Sequence, residues 1–355
     1  MRRFLGFSLV LLIPFFVQAQ DAPKYAPAEQ VRASFKKLLD RPKVPLDAKV
    51  VSKKRHTDGS DHEFLTFASE KKADGSIERV PTFIKHPAKA KGKLPAVIVL
   101  HGTGGSINNA GVMSFINDLA SRNIIGIAID ARYHGSRVEK GGTTYQQAIA
   151  KAWKAKPGET MEHPFYYDTV YDLWRLVDYL ETRDDIDTKN LGMIGFSMGG
   201  IQTYLAASVD QRIKVAVPAI GVQSFRWSLE NEQWQGRANT IKLAHQEAAK
   251  DLGEKEINQK VCRVLWNKII PGITDDYDCP SMLRLFAGRP LMIVSGTKDG
   301  NCPYGGAKIA IASVEKAYKD AGAAERLSVL VEEVGHTVTA KQRTAALDWF
   351  EKWLK

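Results

Sequence analysis

Leu191-Gly192-Met193-Ile194-Gly195-Phe196-Ser197-Met198-Gly199-Gly200 is the stretch on which the fold turns. Leu191–Phe196 reads as a buried strand, and Met198–Ser208 after it reads as a helix. Ser197 therefore falls on an abrupt strand-to-helix turn, which strains its backbone and lifts its hydroxyl above the sheet. Glycines at 195 and 199 remove side chains that would collide there, and Gly200 relaxes the packing further. A bare Gly-x-Ser-x-Gly arises by chance in many chains. Set between a strand and a helix, it reads as a nucleophile elbow.

Outward from this turn, short apolar runs alternate with segments of helical length. The runs are Ala96–Leu100, Ile124–Ile129, Leu191–Phe196, Val215–Ala219, Leu291–Ser295 and Leu327–Val331. Unbroken Val/Ile/Leu character predicts strands buried on both faces, as in a parallel sheet covered by helices. Ala110–Ser121, Phe165–Thr182, Met198–Ser208, Gly306–Ala321 and Ala340–Leu354 supply those helices. In Phe165–Thr182, Tyr166, Val170, Leu173, Trp174, Val177 and Leu180 recur at three- and four-residue steps, an amphipathic stripe. The alternation predicts an α/β open sheet.

The rhythm lapses between about residues 221 and 288. Phe225–Trp234, Asn239–Leu252 and Ile257–Ile269 are helix-forming, so this interval predicts a helical insertion, or cap. It is expected over the carboxyl ends of the strands, where open α/β sheets bind ligands. Upstream, Glu63–Ser69 and Arg79–His86 flank Asp74-Gly75 and predict an antiparallel pair. Residues 20–62, rich in Pro and Lys with one amphipathic stretch (Glu29–Leu39), form an N-terminal extension to a domain over 63–355.

A serine hydroxyl needs a base to take its proton and a carboxylate to orient that base. After an elbow of this kind the partners follow in the order acid, then histidine. Beyond Ser197 the chain has two histidines, His245 and His336. His245 lies on a helix-like stretch of the insertion, whereas His336 follows the strand Leu327–Val331, so His336 is the expected base. Asp299 follows the strand Leu291–Ser295 and is the expected acid. Glu332 and Glu333 would have to fold back from the histidine's own strand, and Asp275, Asp276 and Asp278 read as a solvated loop. A tetrahedral intermediate needs two N–H donors for its oxyanion. Met198, at a helix N-terminus, is one. The loop His101-Gly102-Thr103-Gly104-Gly105, which resembles the His-Gly oxyanion loop of lipases and esterases, supplies the other through Thr103, with His101 structural.

The same loop admits a rival reading. Gly102-Thr103-Gly104 after a strand begins a dinucleotide fingerprint, and Asp130 ends the next strand, where a ribose-binding acid would sit. Ile107 occupies the place of the third glycine, and a dehydrogenase leaves Ser197 and its partners without a role. No nicotinamide cofactor is expected.

Composition sets the bounds. At 355 residues and 44% hydrophobic, the chain can bury a large core. The net charge of +10 is spread along the chain and not interleaved with aromatics, which argues against a nucleic-acid partner. Arg2 and Arg3, the apolar run Phe4–Val17 and Val17-Gln18-Ala19 predict a signal peptide over residues 1–19, cleaved after Ala19, and hence a secreted or periplasmic enzyme. The run is short for a spanning helix and is interrupted by Pro14, so no stable membrane insertion is expected. Cys262, Cys279 and Cys302 lack metal-site spacing, so no metal is expected. Cys262 and Cys279 are the natural pair if a disulfide forms.

The chain resembles the α/β-hydrolase superfamily, in the branch of dienelactone-hydrolase-like esterases, acetyl xylan esterases and prolyl-oligopeptidase catalytic domains. The resemblance covers roughly residues 80–355 and is carried by His101-Gly102, Asp130-Ala131-Arg132-Tyr133-His134-Gly135, Gly195–Gly200, Gly296–Asp299 and Gly335-His336. It implies an α/β-hydrolase fold: a mostly parallel central sheet flanked by helices, with the insertion and the N-terminal antiparallel strands added. It also implies that Arg132 and His134 are structural or line the pocket. Dienelactone hydrolases proper use a cysteine where this chain has Ser197, and 60 to 70 preceding residues leave no room for the propeller of prolyl oligopeptidases. What remains is a carboxylesterase or deacetylase, cofactor-free, working through an acyl-enzyme on a small-molecule or carbohydrate ester. Phe225, Trp227 and Trp234 are candidates for an acyl or sugar-binding wall, or else form the core of the insertion. A small-peptide peptidase with the same triad is the second reading, and a non-catalytic binding relative the third.

Overall fold

The structure, a computed structural model, describes residues 25–88, 90–138, 142–156, 159 and 162–355. The expected signal segment and its cleavage site lie outside the described residues. Among the described residues, no helix is long and apolar enough to cross a membrane.

Nine strands form one sheet: β1 (Lys49–Arg55), β2 (Asp61–Lys71), β3 (Ile77–His86), β4 (Leu94–Leu100), β5 (Ile125–Ile129), β6 (Ile186–Phe196), β7 (Ile213–Ala219), β8 (Leu291–Gly296) and β9 (Leu327–Glu332). Their order is β1-β2-β3-β5-β4-β6-β7-β8-β9. From β5 to β9 every pairing is parallel, and the three at the β1 end are antiparallel. In the expected hairpin, β2 and β3 pair with Phe67 opposite Val80. Its turn holds Gly75 at φ +83°, with Asp74 accepting from the Ser76 backbone and hydroxyl.

Strand β1 gives no sequence signal. Its Lys49, Lys53, Lys54 and Arg55 are exposed at the sheet edge, where charge discourages pairing with another chain, so no apolar alternation marks it. Before it, α1 (Ala28–Leu38) buries Val31 and Phe35, the latter edge-on to Tyr167 at 5.1 Å. Residues 25–62 thus contribute a packed helix and an edge strand.

Two cores account for the unbroken apolar runs. Alternate residues of β4 face opposite sides: Ala96, Ile98 and Leu100 join one cluster, Val97 and Val99 the other. The smaller core is closed by α2 (Ala110–Ser121), and by Phe350 and Leu354 near the chain's end. The larger lies against α3 (Tyr145–Lys154), α4 (Tyr167–Leu180) and α5 (Met198–Val209). Helix α3 escaped the sequence reading, although Thr144 and Gln147 form a capping box at its start. Helix α4 carries Asp168 and Asp172, both fully buried among arginines, so its stripe is wider than apolar residues alone suggest.

The insertion is helical as expected: α6 (Phe225–Glu230), α7 (Gln235–Thr240), α8 (Lys242–Asp251), α9 (Gln259–Ile269) and α10 (Cys279–Leu283). After it come α11 (Tyr304–Asp320) and α12 (Ala340–Leu354). One expectation fails here. Asp278 is not solvated; it is buried and accepts from Ser224 Oγ and the N–H groups of Phe225, Arg226 and Cys279, tying the two ends of the insertion together. Burial pushes its carboxyl up to about 6 despite those donors. Cys262 and Cys279 are free thiols, each buried in the core as a small apolar side chain.

Candidate active site

Ser197 sits at φ +57° and ψ −112°, a strained position between β6 and α5. Three glycines make the turn sterically feasible. A Cβ on Gly195 would lie 2.1 Å from the Gly199 carbonyl oxygen, one on Gly199 2.7 Å from that of Leu100, and one on Gly200 2.6 Å from that of Ala219. Each obstacle is backbone, which cannot swing aside.

The chain brings Ser197, His336 and Asp299 into one line. His336 Nε2 lies 2.7 Å from Ser197 Oγ, and its Nδ1 lies 2.7 Å from Asp299 Oδ2. Asp299 Oδ1 accepts from the N–H groups of Asn301 and Cys302, each at 2.8 Å. With a carboxylate against Nδ1, that nitrogen carries the ring proton and Nε2 is left to accept from the serine. Both partner loops leave carboxyl ends of neighbouring strands, β8 and β9, which pair in parallel with Gly296 opposite Glu332.

His245 is placed elsewhere. It is buried inside the insertion, where Trp266 donates to its Nε2 at 3.1 Å and its Nδ1 meets the Ile241 carbonyl at 3.1 Å. Burial pushes its imidazole down to about 4, so it stays neutral and structural.

The loop after β4 packs directly on the elbow: a Cβ on Gly102 would approach Phe196 O at 3.3 Å and Ser197 Cβ at 3.5 Å. Its orientation follows from His101, whose Nε2 accepts from Ala131 N at 3.1 Å. The His101 proton is therefore on Nδ1 and is donated to the Gly102 carbonyl at 2.8 Å, which Gly105 N also reaches at 3.0 Å. No peptide bond is cis among the described residues, so pinning this carbonyl turns the Thr103 N–H to the opposite side. Met198 N–H belongs to the first turn of α5, where backbone donors lack helical partners. A cleft of about 650 Å³ opens beside His336, lined also by His101, Gly102, Phe196, Ile220 and Val338.

Arg132 and His134 fall beneath the site. Arg132 is clamped by Asp172 at 2.8 Å, and His134 donates from Nδ1 to the Arg132 carbonyl at 2.8 Å. Of the three insertion aromatics, Phe225 is fully buried against Trp266 (5.4 Å between rings), which is insertion core. Trp227 covers Gly305 and Gly306 at the start of α11, and Trp234 is buried with its N–H on Glu232 at 3.0 Å. The sequence gives no sign of Gln223 and Arg237, which hold the Asp299 loop through the Asn301 carbonyl. No local motif marks them.

A family model described as acetyl xylan esterase (AXE1) matches residues 24–226, more than half of the chain. YtaP of Bacillus subtilis (strain 168), a hydrolase by description, is 25% identical over 288 residues, 78% of this chain and 84% of that protein. Among solved structures, acetyl xylan esterase 1 from a Thermoanaerobacterium species superposes with a TM-score of 0.65 at 15% identity, covering 94% of this chain and 100% of that one. A glucuronoyl esterase from Solibacter usitatus superposes with a TM-score of 0.63 at 15% identity, covering 91% of each chain. The fold they share is the one described above. The chain belongs to the acetyl xylan esterase (AXE1) family, and it is a serine carboxylesterase-like hydrolase of the α/β-hydrolase fold.

Proposed function

We propose that the protein cleaves carboxylic esters of small molecules or carbohydrates, acetyl esters foremost, through an acyl-enzyme on Ser197. The observation that carries this reading is the unbroken chain Ser197–His336–Asp299, 2.7 Å at each step. Ser197 Oγ attacks the ester carbonyl carbon as its proton passes to His336 Nε2, and Asp299 stabilises the imidazolium. The oxyanion is met by the N–H groups of Met198 and Thr103. Collapse breaks the carbon–oxygen bond, and His336 returns its proton to the departing alkoxide. Water, deprotonated by the same imidazole, then attacks the acyl-serine and releases the acid. Membership of an acetyl xylan esterase family supports an acetylated carbohydrate as substrate. Export as a secreted or periplasmic enzyme rests on the N-terminal sequence pattern.

The test is labelling by a fluorophosphonate probe combined with turnover of p-nitrophenyl acetate, acetylated sugars and aminoacyl nitroanilides. Ester turnover that exceeds anilide turnover, and that is lost with labelling in Ser197→Ala, is the expected result. Full activity in Ser197→Ala would overturn the assignment, and faster anilide cleavage would make the protein a peptidase.

A further inference from the structure

Helices of the insertion grip the loop that carries Asp299. A Cβ on Gly236, in α7, would lie 2.0 Å from the Gly300 carbonyl oxygen and 2.9 Å from Asn301 Oδ1, so helix and loop meet backbone to backbone. Arg237, the next residue, is 1% exposed. Its Nη2 donates to the Asn301 carbonyl at 3.2 Å and to Cys302 Sγ at 3.1 Å. The Gln223 amide, equally buried, donates to the same carbonyl at 3.1 Å and accepts from Arg237 Nε at 3.3 Å. Cys302 Sγ in turn donates to the Ile220 carbonyl at 3.2 Å. Just past the loop, a Cβ on Gly305 would meet the Trp227 ring of α6 at 2.0 Å, and one on Gly306 would meet Ser224 N at 2.8 Å.

These contacts reach Asp299 through one peptide group. The Asn301 carbonyl and the Cys302 N–H belong to the same planar trans unit, so the two point in opposite directions and turn together. Arg237 and Gln223 hold the carbonyl end, and Asp299 Oδ1 accepts from the N–H end at 2.8 Å. A carbonyl polarised by a guanidinium also makes its N–H the stronger donor. Arginine suits the task, since its rigid fork reaches the carbonyl and the thiol at once and it stays charged when buried. Neither Arg237 nor Gln223 borders the cleft beside His336.

We propose that Arg237 is a positioning residue for ester hydrolysis: acting through the Asn301–Cys302 peptide, it fixes the angle at which Asp299 meets His336 Nδ1. The inference rests on the Ser197–His336–Asp299 reading above. The insertion is then the mount of the triad's acid, and its helix α7 sets the acid's aim from outside the cleft. A misaimed carboxylate slows the chemical step and leaves substrate binding alone, because nothing that touches substrate has moved.

A double-mutant cycle on p-nitrophenyl acetate tests this, with each rate normalised to the folded fraction seen by tryptophan fluorescence. Arg237→Met is expected to lower kcat about 10–100-fold with KM within about twofold of wild type. Arg237→Lys keeps one donor for the carbonyl and is expected to recover part of that loss. In an Asp299→Asn background, Arg237→Met is expected to cost less than about threefold more, because the loop then holds no carboxylate to aim. Should Arg237→Met not fold, Gln223→Met and Gly236→Ala carry the same cycle. A kcat within about twofold of wild type in every folded variant, a change in KM alone, or a further loss of about tenfold or more in the double variant would overturn the positioning role and leave the triad in place. A wild-type rate in Asp299→Asn would overturn the triad's acid, and the positioning role with it.

Discussion

Asp299 meets His336 Nδ1 at 2.7 Å with one carboxylate oxygen, and its other oxygen is pinned by two N–H groups of its own loop. The carboxylate is thus aimed before any substrate arrives, and it favours the tautomer with the proton on Nδ1. Asp299→Asn puts an amide at this position and no longer enforces that tautomer. The kcat for p-nitrophenyl acetate is expected to fall by roughly 10³–10⁴, with KM little changed. Steady-state kinetics check this, and a loss below tenfold would remove Asp299 from the role.

Gly195→Ala tests the steric argument for the elbow. The new methyl would have to displace the Gly199 carbonyl, 2.1 Å away, and with it the first turn of α5. A destabilisation of about 3 kcal/mol or more is expected, or failure to accumulate as folded protein. Chemical denaturation followed by tryptophan fluorescence measures it.

If Thr103 serves as the proposed oxyanion donor, His101 aims its loop without touching substrate. His101→Ala frees the Gly102 carbonyl, and the Thr103 N–H then loses its fixed direction. A kcat lower by about 10–100-fold with KM nearly unchanged is expected, since part of an oxyanion donor's worth is lost. His101→Gln, whose amide nitrogen can reach the same carbonyl, is expected to recover part of it. A selective rise in KM would refute the positioning role.

Stability in acid turns on Asp172. Burial pushes its carboxyl up, but Arg132 and Arg137, with the Ser69 hydroxyl, outweigh that and hold it well below the usual carboxylate range. Its folded pKa lies below the unfolded value, so its contribution is present above pH about 4 and is lost as pH falls through and below that range. Asp172→Asn leaves two buried guanidiniums short of a charge and is expected to cost about 3–5 kcal/mol at pH 7. The gap between variant and wild type is expected to narrow at pH 3. Urea unfolding at the two pH values decides, and a gap independent of pH would discount the charge.

The strands and helices that build the parallel half of the sheet were legible because each carries a local pattern. Strand β4 is apolar on both faces, and α2 and α12 show their apolar stripes with the ends where the sequence places them. Elements held by charge were not legible. Strand β1 is a lysine-rich edge, and Asp168 and Asp172 are buried only because Arg41, Arg132 and Arg137 arrive from elsewhere. Asp278 reads as a surface acid for the same reason: its four donors are assembled by the fold.

Sequence alone determined the elbow. Gly195, Ser197 and Gly199 are neighbours, and the steric demand that links them is local. It also left two histidines as candidates for the base and pointed to Asp299 as the candidate acid by its position after a strand. Tertiary structure decided everything that spans distance. It carried His336 across 139 positions to Ser197 and Asp299 across 37 to His336, and it sealed His245 inside the insertion. It also sealed Asp172 between Arg132 and Arg137, because a charge reveals whether it is paired only once the chain has folded around it.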